Sequence, residues 1–465
     1  MKKGDTLNLN IKSLSYGGLG IAHYDNIVIF VKGGLPGQSV KARIYKKKKK
    51  YLEAYVLEVL KKSKDQITPN CEHFGLCGGC SFQNYNYNKQ LNEKENQVND
   101  LFIRIAKIDS PNINPIIACK EKYNYRNKME FSYSPNKWIV DLESKNESMD
   151  DDAFGLHVKG RFDKIIDINN CHLHGENANQ IFKSIKEYLI ENKISSFNIK
   201  ERKGYLRNVI IRQGHKTNEI LINFVTTNQK NKAITELVKI LTKKFPFIKS
   251  VINTIVENNS GSSIGKENLL FGRDYINEKI GENKYKISSN SFFQTNTNQA
   301  KVLYDTILRI GNFKGDEIVY DLYCGTGSIG IHISKHVKKV YGVEIVMSAV
   351  IDAIENAKNN NITNVQFFHG DLIDFFKNNQ EIKLIETPDF IILDPPRAGI
   401  HNNTLMDVIK FSPKKIIYIS CNPSTQARDI KILQDNNFMV KEIQPIDMFP
   451  HTPHIENITL LINDE

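Results

Sequence analysis

Several short stretches of this chain carry residues whose types and spacing could do chemistry. In Ser420-Cys421-Asn422-Pro423 a cysteine directly follows the apolar run Ile416 to Ile419. A thiol at a strand end is a candidate nucleophile, although a free cysteine is also a common core residue. In Leu393-Asp394-Pro395-Pro396-Arg397, two prolines fix the backbone beside a carboxylate. Such a turn can hold a planar substrate without induced movement. In Asp321-Leu322-Tyr323-Cys324-Gly325-Thr326-Gly327, glycines allow a backbone to approach a ligand closely. Glu344 follows 23 positions after Asp321, where an acid can accept hydrogen bonds from ribose hydroxyls. Asp371 ends the next strand-like run, where an adenine edge would lie. The glycine stretch completes the dinucleotide fingerprint only loosely and lacks the lysine of a phosphate-binding loop. A nucleoside cofactor without a pyrophosphate fits, and S-adenosylmethionine is the obvious one.

A thiolate near a sulfonium methyl group has a definite use. Carbon 5 of uracil is too poor a nucleophile to take a methyl group directly. A thiolate adding to carbon 6 makes carbon 5 an enolate carbon, which can attack the methyl group. A base must then remove the carbon 5 proton so that the thiolate can leave. Glu456, just before the apolar run Ile458 to Ile462, is placed for that, with His451 and His454 as rivals. General base help of this kind is worth roughly 10²–10⁴ in rate.

Cys71, Cys77 and Cys80 form a C-x₅-C-x₂-C pattern with Gly78-Gly79 between the last two. Three soft ligands so close read as a metal site. Cys171 is the expected fourth ligand and Cys119 the alternative. Four thiolates suit zinc or a [4Fe–4S] cluster equally.

These residues need elements to hold them. Residues 1–60 read as short strands separated by turns at Gly17-Gly18 and Gly33-Gly34, which predicts a small OB-like β-barrel. Apolar spacing predicts an amphipathic helix from Leu91 to Ile108. Residues 61–285 read as a central α+β domain. From residue 286 to 465, helical stretches alternate with apolar runs at Glu317–Tyr320, Lys339–Val343, Val365–Phe368, Phe390–Leu393 and Ile416–Ile419. That alternation predicts a doubly wound, parallel α/β sheet of Rossmann-like type, with ligands at the carboxyl ends of its strands.

Composition narrows the class. The chain has 465 residues, 40% hydrophobic and 25% charged, which is ordinary for a globular protein of two or three domains. The formal charge is +11, and residues 1–60 hold eleven Lys and Arg against four acids. Five of those lysines run from Lys46 to Lys50, a phosphate-contacting stretch or a solvated loop. A local positive excess points to a polyanion, with nucleic acid first. The start MKKGDTLNLN has no apolar core of a signal peptide, and Ile27–Val31 is too short to span a membrane. A cytoplasmic monomer is expected, with cysteines as ligands, nucleophiles or core thiols.

Taken together, these motifs resemble the TRAM-domain RNA (uracil-5-)-methyltransferases, especially the bacterial 23S rRNA branch, over nearly the whole chain. The resemblance implies a TRAM domain at residues 1–60 that binds RNA. It implies a [4Fe–4S] cluster on Cys71, Cys77, Cys80 and Cys171. The stretch Ser291-Phe292-Phe293-Gln294-Thr295-Asn296 is similar to the family's S-F-F-Q-x-N motif, implying that Gln294 contacts the cofactor. Tyr323, Glu344 and Asp394 match further cofactor positions. Cys421 matches the nucleophile, and His454-Ile455-Glu456 matches an H-x-E motif that favours Glu456 as the base. Tyr125-Arg126-Asn127-Lys128 matches the start of the central domain, where RNA contacts are implied. The acidic stretch Ser144–Asp152 departs from the family as a surface insert. The expected reaction is formation of 5-methyluridine in 23S rRNA. Rival expectations are the same reaction on the T-loop uridine of tRNA, and a non-enzymatic RNA-binding iron–sulfur protein. A 5-methylcytosine enzyme would show Pro-Cys in place of Ser-Cys-Asn-Pro.

Overall fold

Alternation builds the N-terminal segment. In the strand Ser39–Lys47 the side chains of Val40, Ala42 and Ile44 are buried while Lys41 and Arg43 face solvent. That is the period of two that lets a strand cover a core with one face. The computed structural model describes residues 1–139, 152–229, 231–257, 263–378 and 386–464. The insert at 144–152 lies, apart from Asp152, outside the described residues. Contacts divide the chain into two compact units across the order of the sequence. One comprises Met1–Phe74, Cys80–Lys120 and Leu393–Glu465, and the other Gly75–Gly79 and Glu121–Ile392.

In the first unit, Thr6–Asn10, Ser39–Lys47, Tyr51–Lys61, Ile27–Lys32, Gly20–Tyr24 and Ser13–Leu14 lie side by side in that order as a six-stranded sheet. Lys46 and Lys47 belong to a strand, and Lys48 to Lys50 make the turn to the next one. Lys46 pairs with Glu53 at 2.8 Å. A helix follows at Tyr87–Leu101, capped by the Asn86 side chain, and continues as one π-helical turn over Phe102–Ala106. It starts before the predicted Leu91 because its inward face is largely polar. Tyr87, Gln90, Lys94 and Gln97 are all buried. Apolar spacing does not register such a face.

Those polar groups brace the C-terminal segment. Lys94 Nζ lies 2.6 Å from Asp447 Oδ1, with both side chains almost fully buried. The Tyr87 hydroxyl donates to Asp447 Oδ2 at 2.7 Å and accepts from the Cys119 amide at 2.9 Å. Beyond Asp447, Gln90 accepts from the His451 amide at 3.1 Å, and its own amide lies 3.2 Å from His451 Nδ1. The helix thus fixes the path of the chain into Glu456–Asn463, a strand that pairs antiparallel with Lys415–Ser420 and Phe438–Ile446.

That pairing adds an antiparallel part to the predicted parallel sheet. The connection over 447–455 is too short for a crossover helix, so its two strands must run antiparallel. In the second unit the parallel expectation holds. Val365–His369, Lys339–Glu344 and Ile318–Leu322 pair in parallel, with the helix Met347–Asn359 crossing between two of them. That unit also holds a seven-stranded mixed sheet centred on Leu206–Gln213 and Ile220–Thr226. It carries helices Glu176–Glu191 and Ala233–Lys244. No helix among the described residues is long and apolar enough to cross a membrane.

Lys94→Met should leave the buried Asp447 carboxylate without its cation. The expected loss is about 3–5 kcal/mol of unfolding free energy, measured by urea denaturation. A loss under about 1 kcal/mol would show that the pair does not brace this unit.

Candidate active site

The Ser-Cys-Asn-Pro stretch is a strand end welded to a helix start. Ser420 is the last residue of Lys415–Ser420, and its hydroxyl accepts the Asn422 amide hydrogen at 3.0 Å. The Asn422 side chain caps the helix Pro423–Gln434 by accepting from the Ser424 amide at 3.1 Å. Pro423 occupies the first helical turn, where a missing N–H costs nothing. Cys421 therefore has no freedom to drift, and it stands half-buried at the amino end of a helix.

The Asp-Pro-Pro-Arg turn is tied to this cap. Asn422 Nδ2 donates to the Arg397 carbonyl at 2.9 Å, and the Thr425 hydroxyl donates to it at 3.3 Å. Glu456 opens its strand and is 5% exposed. Its neighbour Asn457 donates to Gln426 Oε1 at 2.7 Å, and Gln426 Nε2 returns a bond to the Asn457 carbonyl at 3.2 Å. One helix, Pro423–Gln434, thus holds both Cys421 and Glu456 in register.

The electrostatics follow from crowding. Burial pushes the Cys421 thiol up to about 11, and the carboxylates of Glu456 and Asp394 push the same way. The Arg397 guanidinium opposes them through its charge and a hydrogen bond. Burial first and Asp394 second hold the Glu456 carboxyl well above its ordinary range, again opposed by Arg397. Burial raises Asp394 to about 7. Three acids beside one cation cannot all ionise at once. Perturbed groups clustered in this way are common at functional sites. The sequence assigns Arg397 no role, because nothing in its spacing shows which acids it will face.

The two histidines make contacts of their own. His451 is buried, in a left-handed backbone conformation, against Gln90 and the Tyr87 ring. His454 packs edge-on against Phe449. Glu456 is one of three charged groups that act on the Cys421 thiol, with Asp394 and Arg397.

In the second unit the glycine loop is shaped by close contacts. Tyr323 and Gly327 have positive φ values of 65° and 74°. A Cβ on Gly327 would meet Phe367 at 2.5 Å, so only glycine fits there. Glu344 accepts from the Gly325 amide at 3.0 Å and from the Val346 amide at 2.8 Å. It ends its strand beside the loop, as the spacing predicts. The Gln294 carbonyl accepts from the Asn127 side chain at 2.8 Å, which joins the Tyr-Arg-Asn-Lys and Ser-Phe-Phe-Gln motifs. Asp371 is exposed and accepts from the Ile373 amide at 3.0 Å, capping the helix Leu372–Asn378.

Cys71 and Cys80 fall in the first unit, and Cys77 and Cys171 in the second. Gln83 accepts from the Cys71 amide at 3.1 Å and donates to Cys80 Sγ at 3.2 Å. The Gly79 amide donates to Cys77 Sγ at 3.3 Å. Among the described residues, no three His, Cys, Asp or Glu side chains form a group that could hold a metal ion. Cys119 and Cys324 are buried thiols. Burial raises the Cys324 thiol well above its ordinary range.

One unit carries a glycine loop with an acid at the next strand end, and the other a half-buried cysteine among buried acids, features that fit a methyltransferase. The tRNA (uracil-5-)-methyltransferase family model matches residues 86–464, and the TRAM domain model matches residues 1–57. The chain belongs to that family and is an S-adenosylmethionine-dependent RNA (uracil-5-)-methyltransferase. A protein named an uncharacterized RNA methyltransferase from Chlorobaculum tepidum is 36% identical, over 98% of this chain and 96% of its own. One of the same description from Clostridium tetani is 39% identical over 98% of both chains. The crystal structure of Pyrococcus abyssi tRNA (uracil-54, C5)-methyltransferase with S-adenosyl-L-homocysteine superposes with a TM-score of 0.77. It is 27% identical, covering 98% of this chain and all of that one.

The folded protein holds the Asp394 proton more tightly than the unfolded chain does. Stability from this group is full below about pH 4 and is lost as pH rises towards about 7. Asp394→Asn should remove that decline. Its unfolding free energy relative to wild type should therefore grow as pH rises from about 5 to about 7. A constant difference across that range in urea titrations would contradict the assignment.

Proposed function

We propose that the chain methylates carbon 5 of a uridine in 23S rRNA through a covalent adduct between Cys421 and carbon 6. The observation that carries this reading is Cys421 beside Glu456, with Arg397 facing both. S-adenosylmethionine supplies a sulfonium methyl group as substrate. In this reading Gln294, Tyr323, Glu344, Asp371 and Asp394 bind that substrate.

Cys421 rests as a neutral thiol, and loss of its proton to solvent gives the attacking thiolate. Its Sγ bonds to carbon 6 of the target uracil, and the electron pair of the 5,6 double bond moves onto carbon 5 and the carbon 4 carbonyl. Carbon 5 then bonds to the methyl carbon as the methyl–sulfur bond breaks. The Glu456 carboxylate removes the carbon 5 proton, the double bond re-forms, and the sulfur of Cys421 leaves carbon 6. Arg397 favours the ionised forms of both Cys421 and Glu456, so it helps the thiol attack and the carboxylate accept.

The basic N-terminal sheet, read as an OB-like platform, supports a structured RNA substrate. The tRNA T-loop uridine is the second reading, favoured by the Pyrococcus abyssi tRNA enzyme's likeness along the whole chain. Both are tested by incubating the purified protein with 23S rRNA and with tRNA lacking the modification, then mapping 5-methyluridine by mass spectrometry. Product in 23S rRNA with wild type and none with Cys421→Ala is expected. Product in tRNA alone would favour the second reading. Product with Cys421→Ala would overturn the covalent route.

The cysteine spacing supports a further part of this reading, a [4Fe–4S] cluster on Cys71, Cys77, Cys80 and Cys171. The N–H groups that point at Cys77 and Cys80 are of the kind that stabilise ligating thiolates. Anaerobically purified protein should contain iron and acid-labile sulfide in equal amounts, both lost in Cys80→Ser. Zinc, or no metal, would contradict it.

A further inference from the structure

The tight turn between Ser13–Leu14 and Gly20–Tyr24 belongs to the TRAM domain, yet it ends at the catalytic cysteine. The Ser15 amide donates to the Leu19 carbonyl at 2.8 Å, and the Gly18 amide to the Ser15 carbonyl at 2.9 Å. Gly17 and Gly18 both have left-handed backbones, with φ of 89° and 85°. This closed turn projects Tyr16, whose hydroxyl donates to the Cys421 carbonyl at 3.4 Å.

The approach is braced on both sides. A Cβ on Gly18 would lie 2.9 Å from the Phe82 ring and 3.1 Å from Pro453. Leu14 packs with Leu35, Phe82 and Tyr85, and its amide donates to Glu93 at 2.7 Å. The Ser81 and Phe82 amides donate to the His451 carbonyl at 2.8 and 3.0 Å. The same segments that fix the route to Glu456 therefore fix the turn that carries Tyr16. Burial first, and then the charges of Cys421 and Glu456 against the opposing Arg397, push the phenol up to about 12, so it remains a neutral donor.

We propose that Tyr16 is a positioning residue of the methyl-transfer site. Its hydroxyl holds the Cys421 peptide so that the thiol keeps its aim at carbon 6 of the target uracil. The TRAM domain then contributes to the reaction as well as to RNA docking. The proposal rests on the covalent reading above. A separation of 3.4 Å is long for an O–H···O bond, as catalytic contacts often are before substrate fills the site.

The test uses RNA carrying 5-fluorouridine at the target position. Fluorine cannot be abstracted as a proton, so the methylated adduct accumulates on the enzyme. The rate of adduct formation is read on denaturing gels with saturating RNA and S-adenosylmethionine. Tyr16→Phe keeps the ring and removes only the hydroxyl. It should slow adduct formation roughly three- to tenfold, the worth of one such hydrogen bond. RNA affinity and the KM for S-adenosylmethionine should stay unchanged. An unaltered rate would overturn the proposal. A defect that vanishes at saturating RNA would also overturn it, making Tyr16 a docking contact. A wild-type enzyme that forms no adduct would instead overturn the covalent reading, and this inference with it.

Discussion

The proposed chemistry depends on crowding three acids around one cation. Burial pushes Cys421, Glu456 and Asp394 each towards its neutral form, neighbouring carboxylates add to this for the thiol and for Glu456, and Arg397 is the charge that opposes it for those two. A thiol and a carboxyl in water would titrate several units apart. Here burial and the shared arginine couple them, so that a proton leaving one changes the readiness of the other. The proposed reaction, which first makes a thiolate and then collects a proton, draws on this coupling.

Crowding of like charges disperses unless the backbone resists. The resistance comes from a strand–cysteine–cap junction and from one helix, Pro423–Gln434, whose Asn422 cap and Gln426 side chain grip the turn of Arg397 and the strand of Glu456. A second brace comes from the helix Tyr87–Leu101. Its buried Lys94, Gln90 and Tyr87 clamp Asp447 and His451 on the way to Glu456. Buried polar contacts of this kind specify one geometry, because any slippage leaves a charge or a donor unpartnered. The N-terminal turn that carries Tyr16 is anchored to the same segments.

Much of this is legible in the amino-acid sequence. Cys421, Glu456, the glycine loop and Glu344 stand at strand ends, and apolar runs and glycine turns mark those ends. The antiparallel pairing of Glu456–Asn463 is invisible to strand–helix alternation, because it depends on the length of the 447–455 connection. The early start of the helix at Tyr87 is hidden by a polar inward face. Arg397 and Tyr16 acquire roles only through contacts across the chain, and Tyr16 lies 405 positions from Cys421. Local spacing carries no record of such distances. The cysteines announce themselves by spacing, yet no metal-holding group forms among the described residues.

The central claim is that Cys421 attacks the base and Glu456 releases it. Glu456→Gln keeps the shape of the side chain and removes its capacity to accept the carbon 5 proton. Incubated with unmodified RNA and S-adenosylmethionine, that variant should accumulate a covalent protein–RNA species. Peptide mapping by mass spectrometry should place the link, with its added methyl group, on Cys421. Free methylated RNA released at the wild-type rate, or a link on any other residue, would contradict the account.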